Sequence, residues 1–163
     1  MRLFVGIPLS AELKNAVIGT MHEMKAAGVK GSYVPAGNLH LTLAFIGETR
    51  EAERVKEALQ TVSVKPFRLT LTQPGSFGDL VYLGVKGNQG LSLAAKAVRE
   101  ALDRAGIPYD RKKFEPHITI IRKAVGNYRS VAAPEGEMMV KTISLMKSEQ
   151  KNGKQVYTEI FSV

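Results

Sequence analysis

Asn38-Leu39-His40-Leu41-Thr42-Leu43-Ala44-Phe45 and Glu115-Pro116-His117-Ile118-Thr119-Ile120-Ile121-Arg122 are two versions of one pattern. Each sets a His, an apolar residue, a Thr and a second apolar residue in a run of β-forming residues. Side chains alternate between faces along a strand. His40, Thr42 and Ala44 are therefore expected on one face, with Leu41, Leu43 and Phe45 on the other. His117, Thr119 and Ile121 repeat the arrangement against Ile118 and Ile120. The apolar face of each strand seeks a core. The His–Thr pair lines whatever lies on the other side.

The chain has only three histidines, and two fall in this pattern, 77 positions apart. Two His-x-Thr pairs among three histidines arise by chance at about the per cent level, so the repeat is informative where one copy is not. Histidine alone has an unperturbed pKa that permits both acid and base work near neutral pH. Two imidazoles at one place therefore divide those roles at a reacting phosphorus. His22, the third, lies off the apolar stripe of its helix and reads as a surface residue.

Working outward, Leu3, Val5 and Ile7 alternate with Arg2, Phe4 and Gly6 as an opening strand. Ser10 is a helix N-cap, and Leu13, Val17, Met21 and Met24 form the stripe of a helix running to about Gly28. Gly47-Glu48-Thr49 marks a turn before a second helix carrying Ala52, Val55, Leu59 and Val62. Strands are expected near 67–73 and 80–86, separated by Pro74-Gly75-Ser76-Phe77-Gly78. A third helix spans about 91–105 and is closed by Gly106 and Pro108. Two late strands, near 138–146 and 156–161, flank the polar turn 149–154.

Each half of the chain thus reads as a helix, a polar or basic connector and a His-x-Thr strand. The expected fold is α+β and bilobal: two pseudo-symmetric lobes of antiparallel sheet plus helices around a central cleft. Residues 1–163 read as one two-lobed domain, because no linker or low-complexity tract divides them.

The formal net charge of +8 points to an anionic partner. Arg111-Lys112-Lys113 leads into the second motif and Arg122-Lys123 leaves it, so part of the charge lies beside the candidate site. The absence of Cys excludes disulfides, thiolate nucleophiles and zinc-thiolate sites. No apolar run approaches the length of a membrane span, and the first residues lack signal-peptide character. A cytoplasmic protein with no membrane association is expected.

The paired motifs resemble those of the two-histidine (2H) phosphoesterases. The match is strongest to the RNA 2′,3′-cyclic phosphodiesterase branch, also called 2′-5′ RNA ligase. Arg2 to Ile7 resembles that branch's first strand, Asn38 to Glu48 its first motif and Pro116 to Arg122 its second, including the Arg. The resemblance runs the length of the chain, including the Tyr157 strand near its end. It implies hydrolysis of a terminal 2′,3′-cyclic phosphate to a 2′-phosphate, with reversible 2′-5′ joining of RNA also associated with the branch. It implies no metal or organic cofactor. The implied substrates are RNA with cyclic-phosphate ends or cyclic nucleotides. No protein partner is expected, and a monomer is.

Such a reaction needs a base for water, an acid for the leaving oxygen and neutralisation of the phosphoryl oxygens. The family resemblance assigns His40 as proton donor and His117 as proton acceptor. Thr42 and Thr119 project beside them as hydroxyl donors to phosphate. Arg122 is the candidate phosphate fork. Strict alternation puts Arg122 on the face opposite His117, so it serves only if the strand ends or bulges near Ile121. Phe4, on the less apolar face of the opening strand, is a candidate for base stacking or for core packing. Tyr33, Phe77, Tyr82 and Phe114 are further aromatic candidates.

Two other readings use the same residues. A non-catalytic module holding RNA ends or nucleotides would use the basic cleft but needs no matched imidazoles. A metallohydrolase would join His40 and His117 to Glu48 or Glu115. No His-Glu-x-x-His or His-x-His spacing supports it.

Overall fold

A computed structural model describes residues 1–163 as nine strands and three α-helices. The strands are β1 (Arg2–Pro8), β2 (Lys30–Tyr33), β3 (His40–Glu48), β4 (Phe67–Phe77), β5 (Leu80–Val85), β6 (His117–Val125), β7 (Glu137–Val140), β8 (Ser144–Lys151) and β9 (Lys154–Ser162). The helices are α1 (Ala11–Ala26), α2 (Ala52–Gln60) and α3 (Gln89–Arg104). One antiparallel sheet has the order β3-β1-β8-β9, and the other β2-β6-β5-β4-β7. One motif strand lies in each sheet, as the α+β bilobal expectation requires.

The lobes are not the two halves of the chain. β2 comes from the first half but pairs with β6 in the second sheet. β8 and β9 come from the end of the chain but rejoin β1 in the first. The repeat of helix, connector and motif strand is real in order, and the sheets interleave it.

The helices form where capping and periodicity place them. Ser10 Oγ accepts the Leu13 N–H at 3.2 Å. The α1 stripe of Leu13, Val17, Met21 and Met24 is buried. Asn88 Oδ1 accepts the Leu91 N–H at 2.8 Å, so α3 begins slightly earlier than expected. Gly28 and Gly106 follow α1 and α3 at φ +87° and +70°, the left-handed geometry that ends a helix most readily at glycine. α2 and α3 pack together, and α3 reaches β3 in one sheet and β4 in the other. A hydrophobic core of 35 residues runs continuously from Leu3 to Leu145 through both sheets.

Three strand expectations are corrected. The run expected as one strand over 138–146 is two strands, and the chain crosses between sheets at Lys141–Ile143. β4 does not stop at Pro74 but continues to Phe77 opposite β5. β7 covers β4 only over Phe67–Thr70, so at Pro74 the strand is paired on one side alone, by β5, an edge position where proline is tolerated. The polar turn is shorter than read: Asn152 (φ 52°) and Gly153 (φ 77°) alone join β8 to β9. Two successive positive φ values define the hairpin turn that suits strand twist.

Candidate active site

The two motif strands carry the same irregularity at the same place. In β3, Val5 of β1 pairs with Ala44 and Gly6 with Thr42, leaving Leu43 as an extra residue. In β6, Val81 of β5 pairs with Ile121 and Tyr82 with Thr119, leaving Ile120 extra. Each bulge falls at the third residue after the histidine. It turns two successive residues toward the core, Leu43 with Ala44 and Ile120 with Ile121, and all four are buried. The alternation is then reset, and the fifth residue after each histidine returns to the histidine face.

This corrects the faces of three residues read from strict alternation. Ala44 and Ile121 belong to the core rather than to the His–Thr face. Phe45 does not oppose the His–Thr face, because it pairs across the ladder with Phe4, whose ring packs on His40. Arg122 meets the condition set for it: the strand bulges, and its side chain is exposed rather than buried with Ile121.

The imidazoles are oriented alike. His40 Nδ1 lies 2.7 Å from the Asn38 carbonyl oxygen, and His117 Nδ1 lies 2.7 Å from that of Glu115. A carbonyl only accepts, so Nδ1 is the protonated nitrogen in both rings. Nε2 is left for chemistry. His40 Nε2 is 2.9 Å from Thr42 Oγ1, whereas no corresponding bond joins His117 to Thr119. The Asn38 and Glu115 carbonyls were invisible to motif reading, because a backbone oxygen has no residue signature.

The surroundings of the two rings differ. Phe4 packs on His40 with ring centroids 4.6 Å apart, and Tyr157 meets both rings edge-on at 5.0 and 5.2 Å. Phe4 is 3% exposed, which corrects the base-stacking candidate: its ring backs His40 and offers no face to a base. Gly6 makes room for this stack. A Cβ there would lie 2.8 Å from the Leu41 oxygen and 3.6 Å from the His40 ring. His117 instead meets Phe77 and Tyr82 edge-on, at 5.2 and 5.5 Å. Phe77 is 42% exposed and lines the cavity. Among the aromatic candidates, Phe77 and Phe114 line the cavity, whereas Tyr33 donates its hydroxyl to the Val29 carbonyl.

Burial pushes the His40 pKa below the usual histidine range. The Asn38 hydrogen bond opposes this, and the charges of Arg122 and His117 add to the lowering. Arg122 and His117, both from β6, therefore act electrostatically on His40 of β3. Thr42 and His117 line one cavity of about 410 Å³, bounded also by Phe45, Arg99, Lys112 and Lys113.

The connector before β6 is tied across this cavity. Arg99 of α3 donates from Nε to the Leu43 carbonyl at 3.1 Å and from Nη1 to the Lys112 carbonyl at 2.8 Å. Asp110 N–H donates to the Phe45 carbonyl at 2.8 Å. The motif pattern gave no sign of Arg99, which lies in a helix distant from both histidines in sequence. No three His, Cys, Asp or Glu side chains converge as a metal site, and no helix is long and apolar enough to cross a membrane.

Two sheets, each presenting a bulged His-x-Thr strand, are the fold of a two-histidine phosphoesterase. The model of the 2′-5′ RNA ligase superfamily matches residues 13–152, and the chain belongs to that superfamily. It is 34% identical over 130 residues to the RNA 2′,3′-cyclic phosphodiesterase of Archaeoglobus fulgidus, covering 75% of this chain and 72% of the relative. The crystal structure of Escherichia coli LigT in apo form superposes with a TM-score of 0.85 at 31% identity, covering 99% of this chain and 95% of that one. E. coli LigT complexed with 3′-AMP superposes at 0.82, with 31% identity and the same coverage.

Proposed function

We propose that this protein is an RNA 2′,3′-cyclic phosphodiesterase. It hydrolyses a terminal cyclic phosphate to a 2′-phosphate by paired-histidine acid–base catalysis. The observation that carries the reading is the matched pair of imidazoles, each with Nδ1 held by the carbonyl two residues earlier. This leaves Nε2 of His117 without a protein partner and Nε2 of His40 on the Thr42 hydroxyl, the two nitrogens that face the chemistry. The named relative from Archaeoglobus fulgidus supports the substrate class. The E. coli complex with 3′-AMP supports a nucleotide ligand.

Water attacks phosphorus and gives its proton to His117 Nε2. The bond from phosphorus to the 3′-oxygen breaks, and that oxygen takes a proton from His40 Nε2. Thr42 and Thr119 donate to non-bridging oxygens, and Arg122 offsets their charge. The His40 role requires the charged ring, although burial and the nearby Arg122 guanidinium favour the neutral one. An anionic phosphate entering beside Arg122 offsets that charge, so substrate binding raises the His40 pKa toward the charged form.

The protein acts alone in this reading, in the cytoplasm, as one two-lobed domain spanning residues 1–163. A non-catalytic nucleotide-binding module has no use for two imidazoles in the same tautomer. The test is incubation with an oligonucleotide ending in a 2′,3′-cyclic phosphate. A 2′-phosphate product is expected, and an unchanged end would overturn the reading.

A further inference from the structure

A second groove, of about 450 Å³, lies along α3 beside the cavity that Thr42 and His117 line. The two share a wall made of Arg99, Lys113 and Phe114. Beyond that wall the groove is lined by Ser92, Lys96 and Tyr109. Of its two acids, Asp103 is engaged: it lies 2.7 Å from Arg111 and accepts the Tyr109 hydroxyl at 3.2 Å. Glu100 stands 3.9 Å from Lys96 in an exposed, loose pair that a phosphate can displace. Arg99 stands over the rings of Tyr109 and Phe114, at 5.5 and 5.8 Å to their centroids. The wall therefore sets two cations at the boundary between two cavities: Lys113, and Arg99, which the Leu43 and Lys112 carbonyls and the two rings hold in place. A positively charged groove of this kind tracks the backbone of single-stranded nucleic acid.

A cyclic phosphate occupies the 3′ end of its strand, so the rest of the strand leaves the catalytic cavity in the 5′ direction. Resting on the phosphodiesterase reading, we propose that this groove is a second nucleotide subsite. The nucleotide preceding the reacting end crosses the wall and sets its phosphate among Lys96, Arg99 and Lys113. The preferred substrate class is then an oligonucleotide end rather than a free cyclic mononucleotide.

Lys96→Glu and Ser92→Glu place negative charge in the groove, at exposed positions that do not line the catalytic cavity. Steady-state kinetics should be compared on a 2′,3′-cyclic mononucleotide and on a trinucleotide ending in the same group. Each variant should raise KM at least about fivefold on the trinucleotide and change the mononucleotide less than about twofold. For Lys96→Glu, the dependence of log affinity on log salt should also shallow by about 0.7, one phosphate contact on a single strand. Equal losses on both substrates, or no loss on the trinucleotide, would overturn the subsite. Anisotropy with a 5′-labelled trinucleotide carrying a 3′-phosphate separates the two readings. If the wild type hydrolyses neither substrate, the phosphodiesterase reading fails. Weaker binding by Lys96→Glu then still supports the subsite, and unchanged binding overturns it.

Discussion

Phe45 and Arg122 are counterparts. Each is the fifth residue after its histidine, and each reaches the histidine face because a bulge stands at the third. The same backbone device therefore delivers an aromatic ring from one lobe and a guanidinium from the other. Arg2 stacks on the Phe45 ring at 5.1 Å, which puts a cation near the first copy as well.

This asymmetry separates binding from chemistry. Arg122→Ala should lower kcat/KM about 100-fold, the range for removing one group that stabilises developing charge. Arg122→Lys should recover only part of it, because an ammonium lacks the planar fork. Phe45→Ala should raise KM and hold kcat within about threefold, as expected for a wall of the binding cavity. Lys30→Ala, exposed on β2, should change neither. Loss of activity in Lys30→Ala matching that of Arg122→Ala would remove Arg122 from the site.

His40 should titrate below the usual histidine value of about 6.5 in the free protein, because burial, Arg122 and His117 all disfavour its charge. Histidine ring NMR measures this directly, and added phosphate should raise the value. The sign for stability follows. A depressed folded pKa means that the unfolded chain binds the proton more tightly. The contribution is therefore present above about pH 6.5 and is lost as pH falls through the folded pKa. His40→Gln should flatten that acid-side loss of Tm. An NMR titration of His40 at or above 6.5 contradicts this account of its environment.

Phe4 should behave as a core residue that also backs a catalytic ring. Phe4→Ala should cost about 3–5 kcal/mol in denaturant unfolding, the range for a buried aromatic. Phe4→Leu should cost less and keep most activity. A stable Phe4→Ala whose only defect is a raised KM for one base would restore the stacking role.

Activity should survive EDTA and extensive dialysis, because no third His, Cys, Asp or Glu converges with the histidines. Loss on chelation with rescue by a divalent ion would favour the metallohydrolase reading.

The motif strands and the capped helices were legible because alternation and N-cap chemistry are local. The bulges were not, since Leu43 and Ile120 are apolar residues like their neighbours. Arg122 was found by pattern, but its face could only be stated as a condition. β2 escaped notice because Lys30-Gly31-Ser32-Tyr33 has no apolar alternation. Gly31 serves close approach instead: at φ +152°, a Cβ there would lie 2.7 Å from the Ile121 side chain. The fused reading of 138–146 failed because no glycine or proline marks Lys141–Ile143, where the chain changes sheets. Phe4 shows the limit of facing rules. It shares a side with Arg2 and Gly6, yet β9 brings Tyr157 over it.

The most direct test of the paired-histidine mechanism is hydrolysis of a 2′,3′-cyclic-phosphate oligonucleotide by wild type, His40→Ala and His117→Ala, followed by ³¹P NMR. Wild type should give the 2′-phosphate, with kcat/KM tracing a bell against pH whose limbs belong to the coupled pair. Each variant should be slower by at least about 100-fold. A cyclic substrate with sulfur at the 3′ position, whose thiolate leaves without a proton, should restore His40→Ala and leave His117→Ala impaired. Restoration of His117→Ala alone would reverse the two roles. Near-normal hydrolysis by either variant of the natural substrate would contradict the mechanism.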